Sequence, residues 1–166
     1  MKRLLLRRNK DEKKIMKLFT MICVLICMIL PFSVRAEETG QIVSVEYLED
    51  GSSFVTILEE LPMAARVSGT KSGKKTVQYR NESGTVLWSV TVHGDFSYNG
   101  KTATCTRATK STTCPASNWK ITASSAGKSG NRATAKATAK KYVNGKVSRT
   151  VSKSVTLTCS PSGSLS

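Results

Sequence analysis

The chain is poor in the residues that most active sites use. One histidine, His93, occurs among the 166 residues, and beyond residue 60 the only carboxylates are Glu82 and Asp95. A glycosidase needs two carboxylates across a cleft, and no GxSxG motif supports a serine hydrolase. We therefore predict that the protein is not an enzyme and has no catalytic residue. His93 is interpreted as a solvent-facing histidine on a strand.

The cysteines also lack the spacing of a metal site. There is no CxxC pair and no paired Cys/His pattern, so we expect no zinc site and no cofactor. Of five cysteines, Cys23 and Cys27 lie in the N-terminal segment, and the odd number that remains permits one intramolecular bridge. Cys105–Cys159 is favoured, because both residues follow threonine and have core-facing parity. A Cys105–Cys114 bridge and three reduced thiols stay open.

Only one long hydrophobic run is present, and it lies near the N-terminus. Leu18–Val34 is uncharged and follows a series of basic residues: Lys2, Arg3, Arg7, Arg8, Lys10, Lys13, Lys14 and Lys17. Val34-Arg35-Ala36 then supplies small residues at the positions that a signal peptidase reads. We predict that residues 1–36 are a helical signal peptide, with cleavage between Ala36 and Glu37.

Two other interpretations of this segment stay open. In one, translation starts at Met16, because Met16-Lys17 is itself an ordinary signal start. In the other, the segment is an uncleaved anchor with its basic end inside the cell. Under the favoured interpretation the protein is secreted and extracellular, with cell-wall association as a further expectation. It then meets the membrane only through the signal peptide before cleavage.

Charge changes sign along the rest of the chain. Residues 37–60 contain seven acids and no base, whereas residues 61–166 contain 17 bases and two acids. We divide the chain into an acidic N-terminal β-hairpin segment (37–60), a linker (61–66) and a basic β-sandwich domain (67–166). The acidic segment either folds back onto the basic face or is an autoinhibitory or exchangeable element, released at Pro62–Arg66. Solubility is the plainer explanation of the many bases.

Alternation of apolar and polar residues with a period of two predicts strands. In the acidic segment, Gln41–Leu48 and Ser53–Leu58 flank the turn signal Asp50-Gly51. A tight turn at that dipeptide places Tyr47 opposite Phe54. The segment is therefore predicted to be a hairpin.

Two strands are predicted at the start of the basic domain, Thr76–Arg80 and the long half-buried strand Thr85–Tyr98. Gly94 suits a bend or bulge at which this strand changes sheet. The tight turn Asn99-Gly100 is expected to pair Phe96 with Ala103.

The remainder of the domain combines loops and one more hairpin. Thr106–Asn118, rich in serine and threonine, is predicted as an irregular connection, and Ser124–Asn131, with glycine and serine, as a turn region. The last hairpin has alternate small or branched apolar residues on each strand: Ala133, Ala135, Ala137, Ala139, Val147, Val151, Val155, Leu157 and Cys159. A three-residue turn with Gly145 in a left-handed bulge position brings these faces together, with room for a tryptophan from the opposite sheet.

About seven strands in a domain of this size predict an all-β, immunoglobulin-like β-sandwich. The acidic hairpin is expected to be appended to it. The Cys…Trp…Cys order of true immunoglobulin domains is absent, because Trp88 precedes Cys105. The size of the domain supports the architecture, and its motifs do not support the family.

Basic residues concentrate on the last hairpin, and these are the candidate polyanion-binding residues: Lys136, Lys140, Lys141, Lys146, Arg149 and Lys153. Lys136 and Lys140 are expected to share the outer face, where they could contact spaced phosphates. Interleaved aromatic residues for base stacking are lacking, so specific nucleic-acid recognition is not expected. A carbohydrate-binding module would need Trp119 exposed beside another aromatic residue.

The chain resembles a family of small, secreted, uncharacterised β proteins from clostridia and related Gram-positive bacteria. The resemblance is carried by four segments: Glu46-Tyr47-Leu48-Glu49-Asp50-Gly51-Ser52, Gly84-Thr85-Val86-Leu87-Trp88-Ser89-Val90-Thr91-Val92, Phe96-Ser97-Tyr98-Asn99-Gly100 and Thr156-Leu157-Thr158-Cys159-Ser160. Cys114 and the lysines after Gly127 depart from the family's pattern. The resemblance implies secretion and a β fold, and it implies no activity.

These observations lead to one leading function and two alternatives. The leading prediction is a secreted, non-catalytic β-sandwich protein that binds anionic cell-surface polymers, such as a cell-wall polymer, or another exported protein partner. The alternatives are a bacteriocin-like or inhibitory secreted factor and a carbohydrate-binding module.

Overall fold

The computed structural model describes residues 40–61 and 69–166, and the regular structure found there is β-strand. The predicted signal peptide, the Ala36–Glu37 cleavage site and Pro62–Arg66 lie outside the described residues. Within those residues the strands are β1 (Gln41–Tyr47), β2 (Ser53–Glu60), β3 (Thr70–Arg80), β4 (Val86–Tyr98), β5 (Ala103–Thr113), β6 (Trp119–Ser129), β7 (Arg132–Val143) and β8 (Lys146–Thr158). They form two antiparallel sheets, which confirms the predicted all-β sandwich.

Both sheets follow the order of the chain. The first sheet is β1-β2-β3-β4-β5 and the second is β6-β7-β8, so the connections are those of two meanders rather than a Greek key. β2 pairs with β3 along its whole length, from Ser53↔Arg80 to Glu60↔Gly73. The acidic hairpin therefore forms the edge of the first sheet.

Two predicted loops are strands instead. β5 runs through the predicted irregular stretch to Thr113, which pairs with Ser89 of β4. β6 runs to Ser129, which pairs with Arg132, so only Gly130 and Asn131 form the turn. Residues 114–118 and the Gly130-Asn131 turn are irregular as predicted. Over the strand residues both predictions were wrong, because these strand ends have polar or small residues on both faces. Without a contrast between faces, the period-two signal disappears.

Two predicted details of register and strand path are also wrong. Phe54 pairs with Glu46 rather than Tyr47, because the turn extends from Leu48 to Ser52. β4 stays in one sheet along its whole length instead of changing sheet at Gly94. The register of the β4–β5 pair does shift beside Gly94, between Asp95 and Phe96. Gly94 also serves packing, since a Cβ there would lie 2.7 Å from the Phe96 ring.

The loop between β4 and β5 has four residues rather than two. The amide of Asn99 donates to the carbonyl of Thr102, and the Asn99 side chain accepts from the same loop. Phe96 therefore pairs with Cys105 instead of Ala103. The shift is two residues, so Cys105 still points into the core, where it is 3% exposed.

The last hairpin has a two-residue turn and a bulge elsewhere. Asn144 and Gly145 both have positive φ angles, 50° and 76°, as a type I′ turn requires. The predicted three-residue turn is therefore wrong. The alanine and valine faces still meet, because Tyr142 pairs with Val147 while Lys141 pairs with Arg149, which leaves Ser148 as the bulge.

The core lies between the alanine face of β7 and the aromatic face of the first sheet. Its alanines are at most 2% exposed, and the same cluster contains Trp88 and Trp119. The tryptophan rings pack against Phe54 or Tyr79 at centroid distances of 5.4 to 6.4 Å. Small alanine side chains provide the volume that these large rings fill, as the sequence predicts.

Candidate polyanion-binding face

The second sheet contains no carboxylate. Its strands and turns, residues 119–158, hold nine bases and neither aspartate nor glutamate. Alternation along each strand sends successive side chains to opposite faces. The bases therefore divide between an outer, solvent-facing side and an inner side that extends beyond the core.

Lys136 and Lys140 lie on the outer side of β7, as predicted, because the alanines between them point into the core. Lys140 pairs with Lys120 of β6, which places a third lysine on the same side. Lys120 Nζ lies 5.5 Å from the centre of the Tyr142 ring. We call Lys120, Lys136 and Lys140 the outer lysine face.

The outer lysine face is uncompensated and surrounded by hydroxyl groups. In the part of the chain that the structure describes, none of its lysines has a carboxylate within 4.0 Å. Hydroxyl pairs join the strands beside Lys136, with Thr134 Oγ1 at 2.9 Å from Thr156 Oγ1 and Thr138 Oγ1 at 2.8 Å from Ser152 Oγ. Hydroxyls and lysines together are good partners for phosphate oxygens.

Two shallow hollows flank Lys136. One has a volume of about 360 Å³ and lies towards Gly127 and Thr134, and the other has about 250 Å³ and lies towards Ala123 and Thr138. Glycine and alanine leave the space that larger residues would fill. Lys136 and Lys140 are four residues apart on one strand, about 13 Å. The face can therefore contact more than one phosphate group of a polymer.

The other predicted bases lie elsewhere. Lys146 lies at the β7–β8 turn, and Lys141 pairs with Arg149 on the inner side, beyond the core. Arg149 donates to Asp50 and lies 5.7 Å from the Tyr79 ring centroid. Of the six predicted residues, the structure brings Lys136 and Lys140 together on one outer surface.

Lys153 is also engaged by the acidic hairpin. Its Nζ lies 2.6 Å from a carboxylate oxygen of Glu46 and 4.2 Å from the centre of the Phe54 ring. We call Asp50–Arg149 and Glu46–Lys153 the edge ion pairs, because they join the β1–β2 hairpin to β8. The acidic segment thus lies against part of the basic domain, and these two pairs neutralise two cations of β8, as Glu59 and Glu60 of β2 do for Lys74 and Lys71 of β3.

The edge ion pairs and their neighbours perturb two ionisable groups. The pKa of Asp50 falls from its ordinary 3.8 to about 2, first because Ser52 donates a hydroxyl hydrogen bond of 2.5 Å and then because Arg149 donates a second. The same contact raises the pKa of Arg149. The structure therefore favours an ionised aspartate on the hairpin turn.

A pH dependence follows from the lowered pKa of Asp50. Its contribution to stability is fully present above the ordinary pKa near 3.8 and is lost as the pH falls through about 2. We expect Asp50→Asn to unfold in urea with a flatter dependence on pH than the wild type between pH 4 and pH 2. Glu49→Gln on the same turn is the control and should keep the wild-type slope. Equal slopes for Asp50→Asn and the wild type would contradict this assignment.

No family model, curated protein or solved structure matches the chain. Its function therefore has to be argued from its own geometry. Among the described residues, no group of three or more histidine, cysteine or carboxylate side chains could hold a metal ion. No helix within those residues is long and apolar enough to cross a membrane.

Cys105, Cys114 and Cys159 are free thiols in the structure, and the predicted bridge stays a prediction. The amides of Cys105 and Cys159 both donate to the β6–β7 turn, to the carbonyls of Gly130 and Asn131. Burial raises the pKa of both thiols and of Cys114. A raised pKa reduces the thiolate fraction and thus the reactivity of all three.

The other residues considered in the sequence analysis, His93, Asp95 and Trp119, do not form a common site. His93 lies on the outer side of the first sheet, opposite in parity to Trp88, with Nε2 at 3.3 Å from Ser111 Oγ. Asp95 accepts a hydrogen bond of 2.6 Å from Ser72. Trp119 is only 5% exposed. Its burial removes the aromatic surface on which the carbohydrate-binding alternative depended.

Sequence reasoning missed Lys120 because it considered the last hairpin alone. The useful signal was the absence of carboxylates from every residue after Asp95. That stretch includes β6 as well as the last hairpin, so it would have pointed to the whole sheet.

Proposed function

We propose that the protein is an exported, non-catalytic β-sandwich that binds an anionic polymer of the cell surface through the outer lysine face. The observation that carries this proposal is the acid-free second sheet, whose outer lysines have no carboxylate partner in the described part of the chain. A concentrated positive field attracts phosphate-rich polymers, and hydroxyls beside it can donate to their oxygens.

Export rests on the sequence. The basic start, the uncharged run Leu18–Val34 and the small residues at Ala36 have the order of a secretory signal. The resemblance to secreted clostridial proteins points to the same compartment. Outside a Gram-positive cell, wall phosphates are abundant anions, and they are the ligand class that we favour.

The arrangement of aromatic residues supports a polymer backbone rather than bases as the ligand. Phe54, Tyr79, Trp88 and Trp119 are buried in the core, so none of them offers a stacking surface. Binding would then depend on phosphate charge and be insensitive to sequence. No observation within the described residues favours the bacteriocin-like or inhibitory alternative.

Binding to isolated Gram-positive cell walls tests the proposal. Residues 37–166 are incubated with walls that keep their phosphate polymers and with walls from which these are removed. We expect retention only on the first, with affinity falling roughly 20- to 40-fold between 50 and 200 mM salt if three phosphates are contacted. Binding that is insensitive to salt, or equal on both preparations, would contradict the proposal.

A further inference from the structure

The two sheets have unequal numbers of strands, which leaves one side of the sandwich uncovered. β7 and β8 pack against β3, β4 and β5. Within the described residues, the backbones of the second sheet do not come close to those of β1 or β2, and side chains of β8 bridge the gap to the hairpin. The inner side of the hairpin therefore overhangs the edge of β8.

Side chains cover one part of this exposed side, and the other part forms a cleft. The edge ion pairs bridge the hairpin to β8 beside Phe54. Further along the same strands lies a cleft with a volume of about 550 Å³. A cleft of this size is in the usual range for a small organic ligand.

Part of the cleft wall is apolar. Its apolar residues come from both sheets and from the C-terminal segment: Val43, Leu58, Val77, Val155 and Leu165. Val77, Val155 and Leu165 are at most 8% exposed, so their exposed edges are the walls of the cleft rather than a protruding patch. The other residues that line the cleft are polar: Gln41, Ser44, Thr56, Lys75, Lys153, Ser154, Thr156 and Ser166. The apolar part of the wall suits an alkyl chain.

Two lysines line the cleft, Lys153, which Glu46 already pairs, and Lys75. Lys75 lies on β3 between Leu58 of β2 and the buried Val92 of β4, so its side chain starts on the inner, core-facing side of the sheet. Burial lowers its pKa, which indicates that the ammonium group is partly desolvated. A partly desolvated cation is costly unless an anion accompanies it.

The other lysines of β3 already have such partners. Lys71 lies 2.5 Å from Glu60, and Lys74 lies 2.8 Å from Glu59. Lys75 has no carboxylate within 4.0 Å in the part of the chain that the structure describes. An anion bound in the cleft would supply the missing partner.

We propose that this cleft binds an amphipathic monoanion of the fatty-acid class, with its carboxylate against Lys75 and its alkyl chain between Val77, Val155 and Leu165. The apolar walls and the uncompensated cation together select this chemistry. An inorganic anion leaves the walls wet, and a neutral lipid leaves Lys75 without a counter-ion. The site shares no residue with the outer lysine face, so either proposal can fail without the other.

Calorimetric titration of the full-length chain tests the proposal, with dodecanoate below its micelle concentration as the probe. We expect one dodecanoate per chain, at least tenfold weaker binding of 1-dodecanol, and no measurable binding of acetate. Lys75→Met should weaken dodecanoate binding at least tenfold and remove the preference for it over dodecanol. Lys110→Met, an exposed lysine of β5, is the matched control and should bind dodecanoate as the wild type does.

A second variant, which fills the cleft, and a second ligand, an acidic peptide, test the same proposal independently. Ser44→Trp fills the cleft from the exposed strand β1 and should abolish dodecanoate binding while the circular dichroism spectrum stays unchanged. Lys75→Met should not lower the thermal midpoint, because it removes a half-buried charge and retains an apolar stem. Equal dodecanoate binding by wild type and Lys75→Met would overturn the proposal. So would a cleft that binds an acidic peptide, such as tetraglutamate, and no dodecanoate.

Discussion

Replacing Trp88 by alanine is expected to lower the free energy of unfolding by about 3–5 kcal/mol, a large part of the stability of a domain of this size. Trp88 is fully buried, and its ring packs against Phe54 and Tyr79. The facing strand offers only alanines to this part of the core, and alanine side chains cannot extend into the vacated volume. Urea unfolding followed by circular dichroism measures the change.

Trp88→Phe is the matched comparison. The indole Nε1 of Trp88 is buried without a hydrogen-bond partner among the described residues, so the native core already bears that cost. Phenylalanine keeps much of the ring volume and removes the unsatisfied donor, and we expect it to lose less than half as much stability as alanine. A loss below about 1 kcal/mol for Trp88→Ala would show that this ring does not organise the core.

The alternation of residues predicted which side chains are buried more reliably than it predicted where strands end. Trp88 and the alternate alanines from Ala133 to Ala139 face the core because a strand sends every second residue to the same side. The outer halves of β5 and β6 are Ser, Thr, Lys, Ala and Gly, which carry no such contrast. These segments are extended because they pair with neighbouring strands. Their own sequence does not indicate that pairing.

For the last hairpin, the sequence predicted which faces meet but not which residue forms the bulge. The sequence required the alanine and valine faces of the last hairpin to meet, and they do. The extra residue that achieves it is Ser148 rather than Gly145. Either position corrects the parity, and the local sequence contains no signal that decides between them. The type I′ turn at Asn144-Gly145 matches the twist of the strands and so excludes the longer turn.

For the candidate sites, the sequence predicted which residues share a strand face but not which distant residues form ion pairs. Lys136 and Lys140 could be placed on one surface from strand parity alone. The partners of Arg149 and Lys153 could not, since Asp50 and Glu46 lie 99 and 107 positions away along the chain. Such contacts depend on how two sheets meet, which no local pattern records.

Lys75 was overlooked for a different reason. The predicted strand began at Thr76, one residue too late to include it. Its parity with Val77 and Tyr79 would otherwise have marked a lysine on an apolar face. A cation in such a position is a useful signal in a sequence, because burial of a charge without a partner is unfavourable.

Removal of the three charges of the outer lysine face is expected to produce the largest effect on wall binding. The triple variant Lys120→Gln, Lys136→Gln and Lys140→Gln should bind walls roughly 100-fold more weakly at 50 mM salt. The basis is about 1 kcal/mol for each lysine beside an anionic surface. The slope of log affinity against log salt should become shallower by about 2 to 3. All three side chains lie on a solvent-facing side, so the variant should fold normally.

A matched variant separates the position of the charges from their number. Lys101→Gln, Arg107→Gln and Lys110→Gln remove the same net charge from exposed positions of β5 and the loop before it, in the other sheet. If the outer lysine face contacts the polymer, the β5 variant should lose less than about fivefold, through the long-range field alone. Equal losses in both variants would mean that affinity follows net charge and that no particular face is the binding site. A loss confined to the outer lysine face would assign the contact to β6 and β7, whatever polymer is used.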